Sequence, residues 1–128
     1  MVNIVLLGAG KLGSRHLQAL SQTKISDTNL FVIDPSLAAL NLAKERFEEM
    51  PANANISSLT YLKHIDGIEA QNIDVAIIAT TSEHRKAVIR NLCNLYQIES
   101  MVLEKFLFQD EESYGEIQCL LDQKGINA

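Results

Sequence analysis

The chain begins with a glycine-rich turn whose residue types and spacing suit the binding of phosphate groups. Residues 8–13 have the sequence Gly-Ala-Gly-Lys-Leu-Gly and directly follow the apolar run Val2–Leu7. In this G-x-G-x-x-G pattern, Gly8 allows a tight turn, Gly10 lets the backbone approach a pyrophosphate, and Gly13 lets a helix pack closely on a sheet. The N-terminus of that helix would face the phosphates with free N–H groups and a partial positive charge. The order of strand, turn and helix therefore predicts a dinucleotide site.

An acidic residue about 20 positions downstream of the turn strengthens this prediction. Asp34 comes directly after the apolar run at residues 30–33, where a dinucleotide-binding sheet has the carboxylate that accepts hydrogen bonds from the adenine ribose. This carboxylate would repel a 2′-phosphate and no arginine follows it closely, so the expected cofactor is NAD rather than NADP. The alternative is a glycine-rich turn with no ligand, and Asp34 at this spacing argues against it.

Composition and charge restrict the class of protein. The 128 residues are 47% hydrophobic, which suits one domain with a buried parallel sheet. A formal net charge of −5 without a basic run argues against nucleic acid and anionic membranes as partners. No run approaches the ~20 apolar residues of a membrane span, and the first strand starts at once, so we expect no signal peptide and a cytoplasmic location.

Cys93 and Cys119 form no C-x-x-C pair, and we expect reduced, at least half-buried thiols and no metal site.

Short apolar runs alternate with helical segments along the whole chain. The predicted strands are residues 2–7, 30–33, 59–62, 75–79 and 101–103, and the predicted helices are residues 11–23, 36–50, 82–96 and 110–124. Pro35 is placed to open the second helix, Gly125 ends the last one, and residues 63–72 fit either a short helix or a loop. The alternation predicts an α/β fold: a doubly wound, Rossmann-like parallel sheet with helices on both faces and ligands beyond the carboxyl ends of the strands.

Two more segments at predicted strand ends contain polar residues that would face the same crevice. Residues 79–84 have the sequence Ala-Thr-Thr-Ser-Glu-His, and residues 101–105 have the sequence Met-Val-Leu-Glu-Lys. With the glycine turn, these segments resemble the Gfo/Idh/MocA family of oxidoreductases. The resemblance covers the whole chain: the G-x-G-x-x-G-x-x-H opening that ends at His16, the acid after the second strand, the Ala-Thr segment with a following histidine, and the Glu-Lys of the family's Glu-Lys-Pro motif.

The resemblance implies NAD(P)-dependent hydride transfer at a hydroxyl-bearing carbon of a sugar, polyol or related small molecule. It also implies that Glu104 orients Lys105, which contacts the substrate or the nicotinamide ribose and helps polarise the reacting oxygen. Lys105 is thus the candidate catalytic residue. The chain departs from the family pattern at Phe106, which stands where the family has proline and removes a fixed φ. The segment at residues 81–84, which ends at His84, is also one residue shorter than the commonest family version.

The candidate cofactor-binding residues lie at predicted strand ends or in the helix turns that follow them. They are Gly8, Gly10, Lys11, Leu12, Gly13, Asp34, Thr80, Thr81, His84 and Glu104. Two histidines and one residue pair keep two interpretations: His16 packs or contacts the cofactor, His84 caps a helix or contacts the nicotinamide side, and the Glu104–Lys105 pair is functional or an ordinary surface ion pair. No function is expected for His64.

Family members continue into a second domain that supplies further catalytic groups and the dimer interface. We therefore expect residues 1–128 to form the NAD(P)-binding Rossmann domain alone, inactive by itself. The full-length enzyme would bind a small-molecule substrate and form a homo-oligomer through the absent substrate domain. One rival is a regulatory NAD(H)-sensing domain without turnover, like those that gate potassium transport, and the Glu104–Lys105 pair argues against it. A second rival is a methyltransferase-type doubly wound domain, and Gly13 argues against it.

Overall fold

The computed structural model describes residues 1–80, 82–103 and 111–127, with only the backbone described at residues 12, 82–84 and 111–114. Within these ranges the strands are β1 Val2–Leu7, β2 Thr28–Ile33, β3 Ile56–Leu62, β4 Asn72–Ile78 and β5 Gln97–Leu103. The helices are α1 Lys11–Leu20, α2 Leu37–Glu48, α3 Ser82–Leu95 and α4 Glu111–Lys124, with a 3₁₀ turn at Ile65–Gly67. The strands form one parallel sheet in the order β3-β2-β1-β4-β5, which confirms the predicted doubly wound fold.

The order of the sheet reverses at β1. Its last residue, Leu7, pairs with Ile33 of β2 on one side and with Ile78 of β4 on the other. The connections after β1 and β4 therefore start from neighbouring strands. In open parallel sheets, the point where the strand order reverses has a crevice at the carboxyl edge. This crevice is where the sequence predicts the ligand.

Two apolar cores cover the two faces of the sheet. On one face, Val5 and Leu7 of β1 belong to the cluster that includes Ile89 of α3 and Ile117 of α4. On the other face, alternate residues of the same strands meet apolar side chains of α1 and α2, in a cluster that includes Ile4, Leu6, Leu17, Leu40 and Ala43. Because side chains alternate along a strand, β1 contributes to both cores and fixes the glycine turn that follows it.

Element boundaries differ from the predicted ones mainly at the amino ends of the strands. Strands β2 to β5 begin two to four residues before the apolar runs that predicted them. The second helix begins after Pro35, because Ser36 is its N-cap and the hydroxyl oxygen accepts a hydrogen bond from the N–H of Ala39 (3.2 Å). Cys93 is buried as expected, whereas the expectation for Cys119 is wrong, since it is exposed on α4.

Two searches of the described residues gave negative results. No helix there is long and apolar enough to cross a membrane. The same residues contain no group of three or more His, Cys, Asp or Glu side chains that could hold a metal ion.

Candidate dinucleotide-binding site

The glycine turn after β1 is pressed against the end of β4 and against the first turn of α1. Gly8 has a φ of +99°, and a Cβ on it would lie 2.7 Å from the carbonyl carbon and oxygen of Ala79. A Cβ on Gly13 would lie 1.8 Å from the carbonyl oxygen of Gly8. Neither contact is possible for a residue with a side chain, because the opposing atoms belong to the backbone. These two glycines therefore allow β1, β4 and α1 to converge at one point.

Gly10 is different, because the space beside it is open. It is the N-cap of α1, and apart from its chain neighbours no atom of the described residues lies within 4 Å of the position that a Cβ would occupy. Its φ of −71° suits any residue, so neither packing nor backbone conformation requires a glycine here. The first N–H groups of a helix have no partner within the helix, and α1 receives no side-chain cap from Gly10. The turn thus leaves room for an anionic group to reach those N–H groups directly.

The carboxylate of Asp34 braces this turn from β2. Its Oδ2 accepts a hydrogen bond from the N–H of Ala9 (2.9 Å), and its Oδ1 accepts one from the N–H of Ser36 (2.8 Å). Each carboxylate oxygen can accept a second hydrogen bond, so the group can still receive donors such as ribose hydroxyls. The Asp-Pro-Ser sequence could have indicated the contact with Ser36, which is an Asx turn. The contact with Ala9 spans 25 residues and had no local signal.

Thr80 is the second residue after β4, and its backbone nitrogen faces Gly8 across the turn. Its hydroxyl oxygen is buried and has no hydrogen-bond partner among the described residues. Leaving such a group unpaired costs about 1–3 kcal/mol, and a ligand in the crevice would remove that cost. The carbonyl oxygen of Thr80 accepts a hydrogen bond from the guanidinium of Arg85, which is only 5% exposed in the first turn of α3. The open space at Gly10 and the unpaired hydroxyl at Thr80 both suit a dinucleotide.

Comparison with known proteins agrees with this geometry. The model of the oxidoreductase family with an NAD-binding Rossmann fold, Gfo/Idh/MocA, matches residues 2–126. The chain belongs to the Gfo/Idh/MocA family. The sequence resemblance is therefore confirmed, and the matched part of the family is its NAD-binding Rossmann domain.

Solved structures of inositol dehydrogenases have the same fold as this Gfo/Idh/MocA chain. The apo scyllo-inositol dehydrogenase of Lactobacillus casei superposes with a TM-score of 0.68 at 20% identity over 99% of the chain. A protein of Sinorhizobium meliloti 1021, provisionally assigned as a myo-inositol dehydrogenase, superposes with a TM-score of 0.71 at 24% identity, also over 99%. At these identities the likeness shows the fold. The chain spans 36% and 35% of these two proteins, respectively.

A curated relative matches part of the sequence. The glutamyl-tRNA reductase of Cyanophora paradoxa is 35% identical over 81 residues, which are 63% of this chain and 17% of that protein. The short match is compatible with the family assignment, which rests on residues 2–126.

An adjoining cavity extends the crevice of this family member toward β2 and β3. It has a volume of about 210 Å³, and its lining includes Ile33, Pro35, His64, Thr80, Val88 and Asn91. These residues come from the ends of strands and from α3, so the cavity lies at the carboxyl edge of the sheet. His64, for which the sequence predicts no function, is exposed but contributes to this lining.

Several predicted site residues lie outside the described residues. These are Thr81, Glu104 and Lys105, together with Phe106 of the departing motif. Leu12 and His84 lie in α1 and α3, but their side chains are outside the description as well. The roles predicted for all of them stay predictions. Of the remaining residues, Lys11 is exposed at the start of α1, and His16 is half-buried one turn further along.

Sequence reasoning missed one basic side chain that reaches the glycine-turn helix. Arg46 lies on α2, and its Nη1 donates to the carbonyl oxygen of Lys11 (2.8 Å) and to Oγ of Ser14 (2.5 Å) in the first turn of α1. No motif at residue 46 indicated this contact, because it joins residues that are more than 30 positions apart.

Proposed function

We propose that this chain binds the dinucleotide for an oxidoreductase that transfers hydride between the nicotinamide and a hydroxyl-bearing carbon of a sugar, polyol or related small molecule. The observation that supports the proposal most is the glycine turn itself. Gly8 and Gly13 are required by packing, whereas Gly10 is required by nothing within the described chain. A glycine that only a ligand would need, at the N-terminus of α1, is what a bound pyrophosphate explains.

The chain's own residues would hold the cofactor along the carboxyl edge of the sheet. The N–H groups of Gly10, Lys11, Leu12 and Gly13 would donate to the pyrophosphate, and the carboxylate of Asp34 would accept from the adenine ribose hydroxyls. The adenine ring would enter the cavity of about 210 Å³, whose wall is partly apolar at Ile33, Pro35 and Val88. The hydroxyl of Thr80 would gain a hydrogen bond to the cofactor, with Thr81, His84 and Glu104 further along the same edge. When bound, the nicotinamide supplies the hydride-transfer chemistry.

We propose NAD as the preferred cofactor, since the charge of Asp34 opposes a 2′-phosphate. Lys63 lines the adjoining cavity and offers a positive charge that would reduce this preference. Calorimetric titration of the chain with NAD and NADP tests the assignment. NAD should bind more tightly, and the difference should widen in Lys63→Met, whereas tighter binding of NADP by the unchanged chain would reverse the assignment.

The catalytic part of the proposal rests on the sequence motif at residues 104–105. Glu104 would orient Lys105, and Lys105 would donate to the reacting oxygen of the substrate. The chain matches about a third of each inositol dehydrogenase above, so we propose that a separate domain completes the substrate site. The polyol substrates in the names of those proteins are compatible with the proposed substrate class.

Measurements of NADH formation test the proposal that a separate domain completes the substrate site. With NAD and a panel of sugars and polyols, the 128-residue chain should form no appreciable NADH, because near-attack geometry contributes about 7–11 kcal/mol and a base is also needed. In a longer protein with a substrate domain, turnover should return, and Lys105→Ala should lower kcat far more than it weakens NAD binding. Robust NADH formation by the 128-residue chain would contradict the proposal that its substrate site is incomplete.

A further inference from the structure

The side chain of Arg46 reaches from the last turn of α2 to the first turn of α1. Its guanidinium donates to two oxygens in the first turn of α1, the carbonyl of Lys11 at 2.8 Å and the hydroxyl of Ser14 at 2.5 Å. Ser14 is fully buried, and its hydroxyl donates in turn to the same Lys11 carbonyl (3.1 Å). The positive charge is therefore fixed within one helical turn, about 5.4 Å of rise, of the first N–H groups of α1.

This location is electrostatically unfavourable in the absence of an anion. The N-terminus of a helix has a partial positive charge, and a cation beside the first turn is repelled by it. α1 has no acidic residue in its first turn that would offset this repulsion. A pyrophosphate at the glycine turn would reverse the sign, because both the helix terminus and the guanidinium would then face negative charge within about one Debye length at physiological ionic strength.

Other contacts between α1 and α2 do not involve the guanidinium. The amide nitrogen of Gln18 donates to the backbone carbonyl of Arg46 (3.0 Å), a contact that any residue at position 46 would keep. Leu17 of α1 and Leu40 and Ala43 of α2 belong to one buried cluster. These contacts would remain if the guanidinium were removed, so its loss should leave the two helices packed together.

We propose that Arg46 is a positioning residue for dinucleotide binding: it fixes the first turn of α1 and adds positive potential at the pyrophosphate. The inference rests on the proposed function, since it needs an anionic ligand at the glycine turn. It predicts that Arg46 acts on the charged part of the cofactor and leaves recognition of the nucleoside unchanged.

The test compares NAD with adenosine, which lacks the pyrophosphate, by NMR titration of the 128-residue chain. Arg46→Met should weaken NAD binding by about 5- to 30-fold and change adenosine binding by less than about twofold. Arg46→Lys keeps the charge and should recover most of the NAD affinity. Lys44→Met removes an exposed cation from the same helix without removing a contact to α1, and it should match the unchanged chain. Raising the salt concentration should lower NAD affinity less in Arg46→Met than in the unchanged chain.

The other outcomes overturn the inference in distinguishable ways. Unchanged NAD affinity in Arg46→Met would show that the guanidinium does not act on the ligand. An equal loss of NAD and adenosine affinity, together with a lower free energy of unfolding, would make Arg46 a purely structural residue. If the unchanged chain binds adenosine but gains nothing from the pyrophosphate and nicotinamide of NAD, the proposed function itself fails, and this inference fails with it.

Discussion

At the carboxyl edge of the sheet, hydrogen-bonding capacity is left unused, whereas at the amino edge the polar groups bond to one another. The amino edge is organised around Asn3, which is 8% exposed. Its N–H donates to Asp74 Oδ2 (2.7 Å), its side-chain nitrogen donates to the carbonyl of Asn72 (3.0 Å), and its side-chain oxygen accepts from Asn29 (3.2 Å). Among the described residues of the carboxyl edge, the space beside Gly10 is open and the buried Thr80 hydroxyl has no hydrogen-bond partner.

The comparison favours the smaller of two cavities as the proposed dinucleotide site. A cavity of about 670 Å³ adjoins the amino edge, three times the volume of about 210 Å³ at the carboxyl edge. Its charged lining residues are Asp74, Glu99 and Lys124, so two carboxylates face one ammonium group, and it lies where α3 and α4 end. Acidic side chains and the negative ends of helices repel phosphates. Unused hydrogen-bonding capacity and helix N-termini instead point to the smaller cavity.

The largest effect is expected at Gly13, because a Cβ there would overlap the carbonyl oxygen of Gly8. Gly13→Ala should lower the free energy of unfolding by about 3 kcal/mol or more and abolish NAD binding, because the new Cβ would displace α1 from the turn. Urea denaturation measures the loss. Gly115→Ala is the matched control, since Gly115 is also helical and has open space around it, and it should stabilise the chain by about 0.5–1 kcal/mol. Equal stability of the two variants would contradict the packing described for Gly13.

Gly10→Val should separate binding from folding. We expect NAD affinity to fall by more than about 100-fold while the free energy of unfolding changes little, because the side chain fills only the space proposed for the pyrophosphate. Calorimetric titration and urea denaturation of the same preparation provide the two numbers. A folded variant with unchanged NAD affinity would mean that the glycine turn is only a turn.

Asp34→Ala should have an intermediate effect at the same edge. We expect about 10- to 100-fold weaker NAD binding and a smaller loss for NADP, since the carboxylate interacts with ribose hydroxyls and opposes a 2′-phosphate. Some stability should also be lost with the hydrogen bonds to Ala9 and Ser36. Asp34→Asn removes the charge but keeps one acceptor oxygen, and it should narrow the difference between NAD and NADP. If Asp34→Ala lowered the affinities for NAD and NADP equally, the role of Asp34 would be only to hold the glycine turn in place.

The smallest effect on binding is expected at the amino edge. Asn3→Ala should lower the free energy of unfolding by about 1–3 kcal/mol, because it removes partners from buried polar groups. NAD affinity should stay within about twofold of the unchanged chain. A loss of NAD affinity well beyond twofold in a folded Asn3→Ala variant would connect the amino edge to the ligand and contradict the comparison.

The sequence predicted the fold, and it singled out the glycine turn and Asp34 as a candidate site, because both depend on local patterns. The first strand was predicted residue for residue, since all of Val2–Leu7 is apolar except Asn3. The other strands were predicted too short because their first residues are partly polar. In β2, Thr28 and Asn29 precede the apolar run. Their polar groups find partners that the local sequence does not show: the Thr28 hydroxyl donates to Ile25, and Asn29 accepts from Ser58 of the neighbouring strand.

The unpredicted parts of the site are contacts between residues that are distant in sequence. The glycines were identified because a G-x-G-x-x-G pattern encodes backbone requirements directly. The brace between Asp34 and Ala9 and the contact between Arg46 and Ser14 depend on how β1, β2, α1 and α2 pack together. No periodicity or motif indicates such contacts, so sequence reasoning gave Asp34 only its ligand role and gave Arg46 none.

The most direct test of the account is a map of amide chemical-shift changes in the 128-residue chain as NAD is added. The account predicts that the largest changes lie at Ala9, Gly10, Lys11, Ser36 and Thr80, with the amides of Asn3, Asn29 and Asp74 almost unchanged. Gly10→Val should abolish the whole pattern. Changes centred on the cavity of the amino edge, or no changes at saturating NAD, would contradict the claim that the carboxyl edge is a dinucleotide site.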